Sequence, residues 1–210
     1  MHDLVRDRIL RGEMMAGDPI RQDALAAEFG ISKIPLREAL ARLEQFGLVR
    51  SQVHRGYVVS ALSAAEAEEV FALRIQLEPL AMAHGSLAAD AEDRRAASAG
   101  LKALNESILT GDEAEGALNR DFHMLLVRPG AGQITLQFIE RLNMVAERYT
   151  RLHLRPPGRD SRACAEHDQM LALWKSQRTH ELQSLVRRHL DDTLNDLRVQ
   201  LAEIEDHRAL

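Results

Sequence analysis

Three short stretches in the second half of the chain carry side chains suited to holding a cation: NRDFH at 119–123, EHD at 166–168 and RRHLDD at 187–192. Asn119 and His123 are four apart, so on a helix they share a face, one turn from each other. His167 and His189 fall on two later segments with helical patterning. Three imidazoles and one amide oxygen, converging from three helices in a bundle core, would make a site for a divalent metal. The chain holds nine histidines, and a single histidine on an apolar helix face is more commonly a hydrogen-bonded core or surface residue. By spacing alone, both readings stand.

A second chemistry sits near the start, in SKIPLREALARLEQFGLV at 32–49. Leu36, Ala39, Leu40, Leu43 and Phe46 recur three or four apart and form one apolar stripe of a helix. Lys33 and Arg37 occupy its first turns, on a helix that follows a Gly-Ile-Ser junction. Ser32 is placed as an N-cap, and Pro35 falls in the first turn, where a missing N–H is tolerated. A lone surface Lys or Arg is ordinarily just solvated. At the front of a helix whose back is core, the two are placed to meet phosphates and base edges.

The elements around these residues are predominantly helical. The hydrophobic share is 45% and the aromatic share 4%, and the abundance of Ala and Leu favours helix over sheet. A helix is expected over about 3–12, then the Gly/Pro-punctuated loop GEMMAGDPI with Ile20 inward, then a short helix over about 22–29 closed by Gly30. After the helix of 32–47 comes LVRSQVHRGYVVS, β-branched and broken at His54-Arg55-Gly56, which reads as a two-stranded hairpin. Helix, helix, turn, helix, hairpin is the order of a winged helix-turn-helix. Beyond Ser60 no strand pattern appears. SAAE at 63–66 matches a capping box and opens a helix to about Gly85. Further helices are expected at about 90–109, 112–127, 133–154, 161–176 and 180–206. The fold class is therefore mainly α: a winged helix-turn-helix domain over 1–62 and an all-helical bundle over 63–210.

Charge and cysteine content narrow the classes. The net charge is −5, which by itself argues against a nucleic-acid binder. It is unevenly spread: residues 1–60 hold nine Lys/Arg against eight Asp/Glu, and residues 61–210 hold 18 against 24. Lys33, Arg37, Arg42, Arg50 and Arg55 make a modest basic patch. The single cysteine, Cys164, excludes an internal disulfide and suits a reducing cytoplasm. No apolar leader and no run long enough to span a bilayer is present, so a cytoplasmic protein without membrane association is expected.

GDPIRQDALAAEFGISKIPLREALARLEQFGLVRSQVHRGYVVSALS resembles the DNA-binding domain of GntR-type bacterial transcription regulators, over nearly all of 4–63. The resemblance implies double-stranded operator DNA as partner. It assigns Ser32, Lys33, Ile34, Pro35 and Arg37 to bases and phosphates, and His54, Arg55 and Gly56 to a wing in the minor groove. Gln22 and Asp23 would lie against the backbone. The chain departs from the family pattern at Lys33, where some members have arginine, and at Asp23, where a basic residue is known. One recognition helix reads a short half-site, so a homodimer on a pseudo-palindrome is expected.

Residues 66–205 resemble the FCD ligand-binding domain of the FadR-like branch of that family. The resemblance implies that Asn119, His123, His167 and His189 bind a divalent metal: zinc, nickel or manganese. Asn119 stands where Asp is commoner, which removes one negative charge and predicts weaker binding. Arg74, in the R-x-x-x-E segment of ALRIQLEPLA, is either the anchor of an effector carboxylate or half of an internal ion pair. Cys164 reads as a small buried hydrophobe rather than a ligand, and Trp174 and Tyr149 as core. The function expected is a transcription regulator, a repressor controlled by a small carboxylate effector at the metal, and not an enzyme. A metal-free regulator sensing an acyl thioester and a metal-dependent hydrolase are the alternatives; no H-E-x-x-H is present.

Overall fold

The computed structural model describes residues 1–53, 56–110, 114–154 and 158–208. These form two compact units, Met1–Leu62 and Ser63–Leu210. In the first, helices α1 (His2–Leu10), α2 (Gln22–Glu28) and α3 (Lys33–Gln45) precede the antiparallel strands β1 (Val49–Gln52) and β2 (Gly56–Val59). Leu36, Leu40 and Leu43 are fully buried, with Val5, Leu25 and Leu48 around them. Each such leucine contributes roughly 1.5–3 kcal/mol, so the stripe on α3 holds the unit together. Gly30 takes φ +63 just past α2, the left-handed position that ends a helix at low cost. Ser32 occupies the N-cap position of α3, but its hydroxyl makes no capping bond.

The hairpin pairs Val49 with Val59 and Gln52 with Gly56. One departure from the sequence reading lies in the preceding loop. Its end joins the sheet: Val59 N–H donates to Asp18 O at 2.9 Å and Ile20 N–H to Tyr57 O at 2.8 Å. Ile20 is 4% exposed. Its burial leaves the adjacent peptide groups at the sheet edge, where pairing with β2 satisfies them.

The second unit contains α4 (Ala64–Ala88), α5 (Ala91–Thr110), α6 (Glu115–Val127), α7 (Gln133–Leu154), α8 (Arg159–Lys175) and α9 (Thr179–Arg208), with a 3-10 turn at Arg128–Gly130. Helix α4 packs against α6, α7, α8 and α9. Ser63 Oγ accepts from Glu66 N–H at 3.4 Å. The reciprocal half of the capping box is replaced: Ser63 N–H donates to Tyr149 Oη, whose own hydroxyl lies 2.5 Å from Glu66 Oε2. Tyr149 and Trp174 are fully buried, as core residues, while Cys164 is half-buried rather than buried.

Helix α4 contains Pro79. A proline there removes the N–H that would bond the carbonyl four residues back. That carbonyl, Ile75 O, instead accepts from Arg187 Nη1 of α9 at 3.2 Å. The helix also continues three residues past Gly85, where the sequence reading ended it. Gly85 is a point of close approach: a Cβ there would lie 2.1 Å from Leu126 O. That same carbonyl accepts from Trp174 Nε1 at 3.0 Å. Gly85→Ala should therefore force α4 and α6 apart and destabilise the fold by about 1–3 kcal/mol. Gly132→Ala, which meets nothing within 4 Å, should change stability by less than about 0.5 kcal/mol. Chemical denaturation of the two variants would check this, and equal midpoints would refute it.

Candidate metal centre and nucleic-acid interface

His123 of α6, His167 of α8 and His189 of α9 come together inside the second unit, with 0%, 1% and 6% exposure. One ring nitrogen from each lies within 4.8 Å of the others. Their positions follow from helix phase. His167 shares the inner face of α8 with Ala163, Met170 and Trp174, and His189 that of α9 with Leu185, Val186 and Thr193. Phe122 packs edge-on against both His123 and His167, with centroids 6.1 and 5.4 Å away. No Cys, Asp or Glu joins the cluster among the described residues.

Two of the rings are held from behind by carboxylates. His123 Nδ1 lies 3.0 Å from Glu78 Oε2, and His189 Nδ1 lies 2.6 Å from Glu166 Oε2. An ionised carboxylate only accepts, so each Nδ1 carries the proton and each Nε2 keeps its lone pair. Imidazoles that ligate metals are arranged in this way. His123 Nε2 is buried with no hydrogen-bond partner among the described residues. Leaving a buried ring nitrogen without a partner costs about 1–3 kcal/mol, and a cation shared with its two neighbours would remove that cost. The residues present therefore fit a divalent metal.

Arg74 meets a carboxylate of its own helix, Glu78. Nε and Nη2 lie 2.5 and 3.3 Å from the two Glu78 oxygens. Nη2 also donates to Asn143 Oδ1 at 3.0 Å, and Asn143 Nδ2 donates to Glu78 Oε1 at 2.8 Å. Glu78 is fully buried. Burial pushes its carboxyl up, but the Arg74 guanidinium and His123 outweigh that and hold it down at about 2.

Arg74, Asn119, His167 and His189 line one cavity, together with Glu115, Thr193 and apolar groups including Leu104 and Ile108. The space open to the centre of a water-sized sphere is about 20 Å³. One water needs roughly 10–15 Å³ by that measure, so there is room for one or two water-sized groups. Thr193 Oγ1 donates to His189 O at 2.7 Å, fixing the wall beside the ring.

In the first unit, Ser32, Lys33, Ile34, Pro35 and Arg37 all emerge at the exposed front of α3. Lys33 and Arg37 line an open groove with Arg21, Gln22, Asp23 and Gly56. The starts of α2, α3 and β2 thus share one surface. Lys33 is ion-paired with Asp23. Ile34 is 71% exposed. His54 and Arg55 lie outside the described residues.

Sequence reasoning missed Asn143 and Arg21, and it weighed Glu166 only as a base beside His167, not as the partner of His189. The R-x-x-x-E spacing did contain the Arg74–Glu78 contact, since side chains four apart on a helix touch. Nothing local joins Glu166 to His189, 23 residues later. Glu166 adjoins His167 in sequence yet points to a different helix, as the 100° step per residue requires.

The charge on Glu78 has a consequence for acid stability. A carboxyl held below its ordinary value contributes stability that is complete above that value and is lost as pH falls through the folded one. In chelator-treated protein, stability should therefore decline between about pH 5 and pH 2. Glu78→Gln should cost about 3–5 kcal/mol near neutral pH, because it leaves Arg74 buried without its counter-charge, and should flatten that decline. Denaturant melts at fixed pH check it; identical acid profiles would contradict it.

Comparison with known proteins places these two units. Residues 69–192 match the model of the FCD domain, and residues 2–59 match that of bacterial regulatory proteins, gntR family. The HTH-type transcriptional regulator BphR of Paraburkholderia xenovorans is 30% identical over 208 residues, covering 92% of this chain and 82% of BphR. YdhC of Bacillus subtilis, also named an HTH-type transcriptional regulator, is 30% identical over 144 residues, 68% of this chain and 64% of YdhC. The alignment thus spans a little under two thirds of YdhC. The structure of E. coli McbR/YncC superposes with a TM-score of 0.83 at 19% identity, over 95% of this chain and 96% of that one, a likeness of fold. An exposed, basic helix front in one unit and a helical bundle in the other thus have a common explanation: the chain belongs to the GntR family of bacterial transcription regulators, with an FCD domain as its second half.

Proposed function

We propose that this regulator is a repressor whose hold on operator DNA is set by a small carboxylate bound at a divalent metal in the FCD domain. The observation that carries the metal is the buried triad of His123, His167 and His189, two of whose rings are oriented by Glu78 and Glu166. Asn119 completes the set from the cavity wall. Four neutral ligands would leave the cation its full charge, which favours an anionic occupant of any open position. A bound metal would supply Lewis acidity toward that anion. Arg74 stands on the same wall, and its Nε and Nη2 are engaged by Glu78 and Asn143 while Nη1 makes no bond among the described residues. In this reading the guanidinium's remaining N–H groups would meet the effector carboxylate. Three imidazoles suit zinc and nickel, and manganese would depend more on the Asn119 carbonyl and on oxygen from the effector.

The same geometry disfavours both rivals. Glu78 and Glu166 are committed to holding imidazoles, which leaves neither to act as a hydrolase's general base. The small cavity suits a short acid better than an acyl thioester. Control of transcription then needs the effector to bind the DNA-competent and DNA-incompetent forms unequally. A coupling of about 1–3 kcal/mol shifts operator affinity some 5–150-fold.

Elemental analysis of untagged protein purified without chelator tests the metal. About one ion per chain is expected in the wild type and none in His167→Ala; no metal in either would overturn the reading.

A homodimer fits an apolar stripe on α4. Leu73, Leu80 and Leu87 recur at seven-residue spacing and are 45%, 50% and 59% exposed, with Leu77 between them. Ile134 and Phe138 at the start of α7 are 71% and 59% exposed. A seven-residue apolar repeat is the seam of a helix that packs on another, and a second copy would cover it while presenting two DNA-binding units to a two-fold operator. Leu80→Glu should convert the dimer to monomer in sedimentation experiments at micromolar concentration. A variant that still sediments as a dimer would remove this face from the interface.

A further inference from the structure

The DNA-facing groove carries one feature that its charge alone does not explain. Among Arg21, Gln22, Lys33, Arg37 and Gly56 it contains an acid, Asp23. The Asp23 and Lys33 side chains are 76% and 62% exposed, yet Oδ1 and Nζ are in direct contact. An acid at the front of α2 favours that helix through its dipole, but so would one facing away from the groove. On a surface that approaches phosphates, a carboxylate weakens binding unless its charge is used.

We infer that Asp23 is a specificity-determining residue, which converts Lys33 from a phosphate anchor into a reader of base edges. This rests on the reading that the front of α3 enters the major groove. Lysine is a flexible point charge, and left alone it turns toward the nearest phosphate. Pinned by Asp23, the ammonium keeps two N–H donors in a fixed position at the first residue of α3. Asp23 Oδ2 beside it is an acceptor. A donor next to an acceptor matches the major-groove edge of one base pair: guanine O6 and N7 accept from lysine, and cytosine N4 donates to aspartate. The pair would therefore favour G·C at one position of each half-site. It would also lower affinity for DNA of arbitrary sequence, because one cation of the groove is already neutralised.

The test uses full-length protein and two duplexes: the tightest binder recovered from a randomised duplex library, and a duplex of scrambled sequence. Affinity for each is measured across a range of salt for the wild type, Asp23→Asn and Arg37→Ala. The inference expects Asp23→Asn to bind the scrambled duplex several-fold tighter, with the slope of log K against log salt steeper by about 0.9, one additional phosphate contact. Its preference for the selected duplex should fall, and a library reselected with the variant should lose G·C at one half-site position. Unchanged slope and preference, or equal tightening on both duplexes, would overturn it. Arg37→Ala separates this from the underlying reading. If Arg37→Ala weakens binding while Asp23→Asn is neutral, only the role of Asp23 fails. If neither substitution changes binding, the DNA-facing assignment of the groove fails with it.

Discussion

The helical unit is organised around one buried ion pair, Arg74 with Glu78, on a single turn of α4. Removing two charges from water is expensive, and their attraction repays it only when the geometry is good and the remaining polar atoms are bonded. Here both conditions are met. The pair is close to bidentate, Asn143 of α7 bridges guanidinium and carboxylate, and the second Glu78 oxygen accepts a hydrogen bond from His123 Nδ1 on α6. Three helices are thus tied through one polar cluster. The pair also fixes which nitrogen of His123 meets Glu78, so the carboxylate on α4 sets the ring orientation on α6.

That cluster works only because α4 can lie close to its neighbours. At Gly85 the absence of a side chain lets the Leu126 carbonyl approach, and at Pro79 the vacant carbonyl of Ile75 is taken up by Arg187 from α9. Both departures from an ordinary helix interior are answered by contacts from other helices. The three imidazoles then arrive from α6, α8 and α9, elements packed directly or indirectly on α4. Because protein interiors are close-packed, a ligand that draws the imidazoles together is felt along all three helices.

The first unit solves a different problem with a smaller core. Leu36, Leu40 and Leu43 anchor α3 from behind, which frees Ser32, Lys33, Ile34, Pro35 and Arg37 to face outward without costing the fold stability. The segment ending at Ile20 pairs with β2 and so fixes the base of the wing beside the start of α2. Groove chemistry is therefore set by residues from three separate elements: α2 with the residue before it, α3 and the start of β2.

Much of this was legible in the residues themselves. Helix periodicity located each α-helix among the described residues, because the apolar stripe of a buried face repeats wherever the helix goes, while the 3-10 turn at Arg128–Gly130 fell in a stretch read as a break. The hairpin followed from β-branched runs around a glycine, and the family resemblance followed from the length and order of the motif IPLREALARLEQFGLV. Asn119, His123, His167 and His189 could be singled out, but periodicity gives only the face a side chain occupies on its own helix. Which faces meet is decided by packing between helices. Only the tertiary structure joined His189 to Glu166, bridged Arg74 and Glu78 with Asn143, made Gly85 a contact instead of a terminus, and set Asp23 against Lys33. The sequence determined the elements and the inventory of chemistry, because those depend on neighbours within a turn. The tertiary structure decided the partners, because a hydrogen bond or ion pair between elements depends on distances that no local pattern encodes.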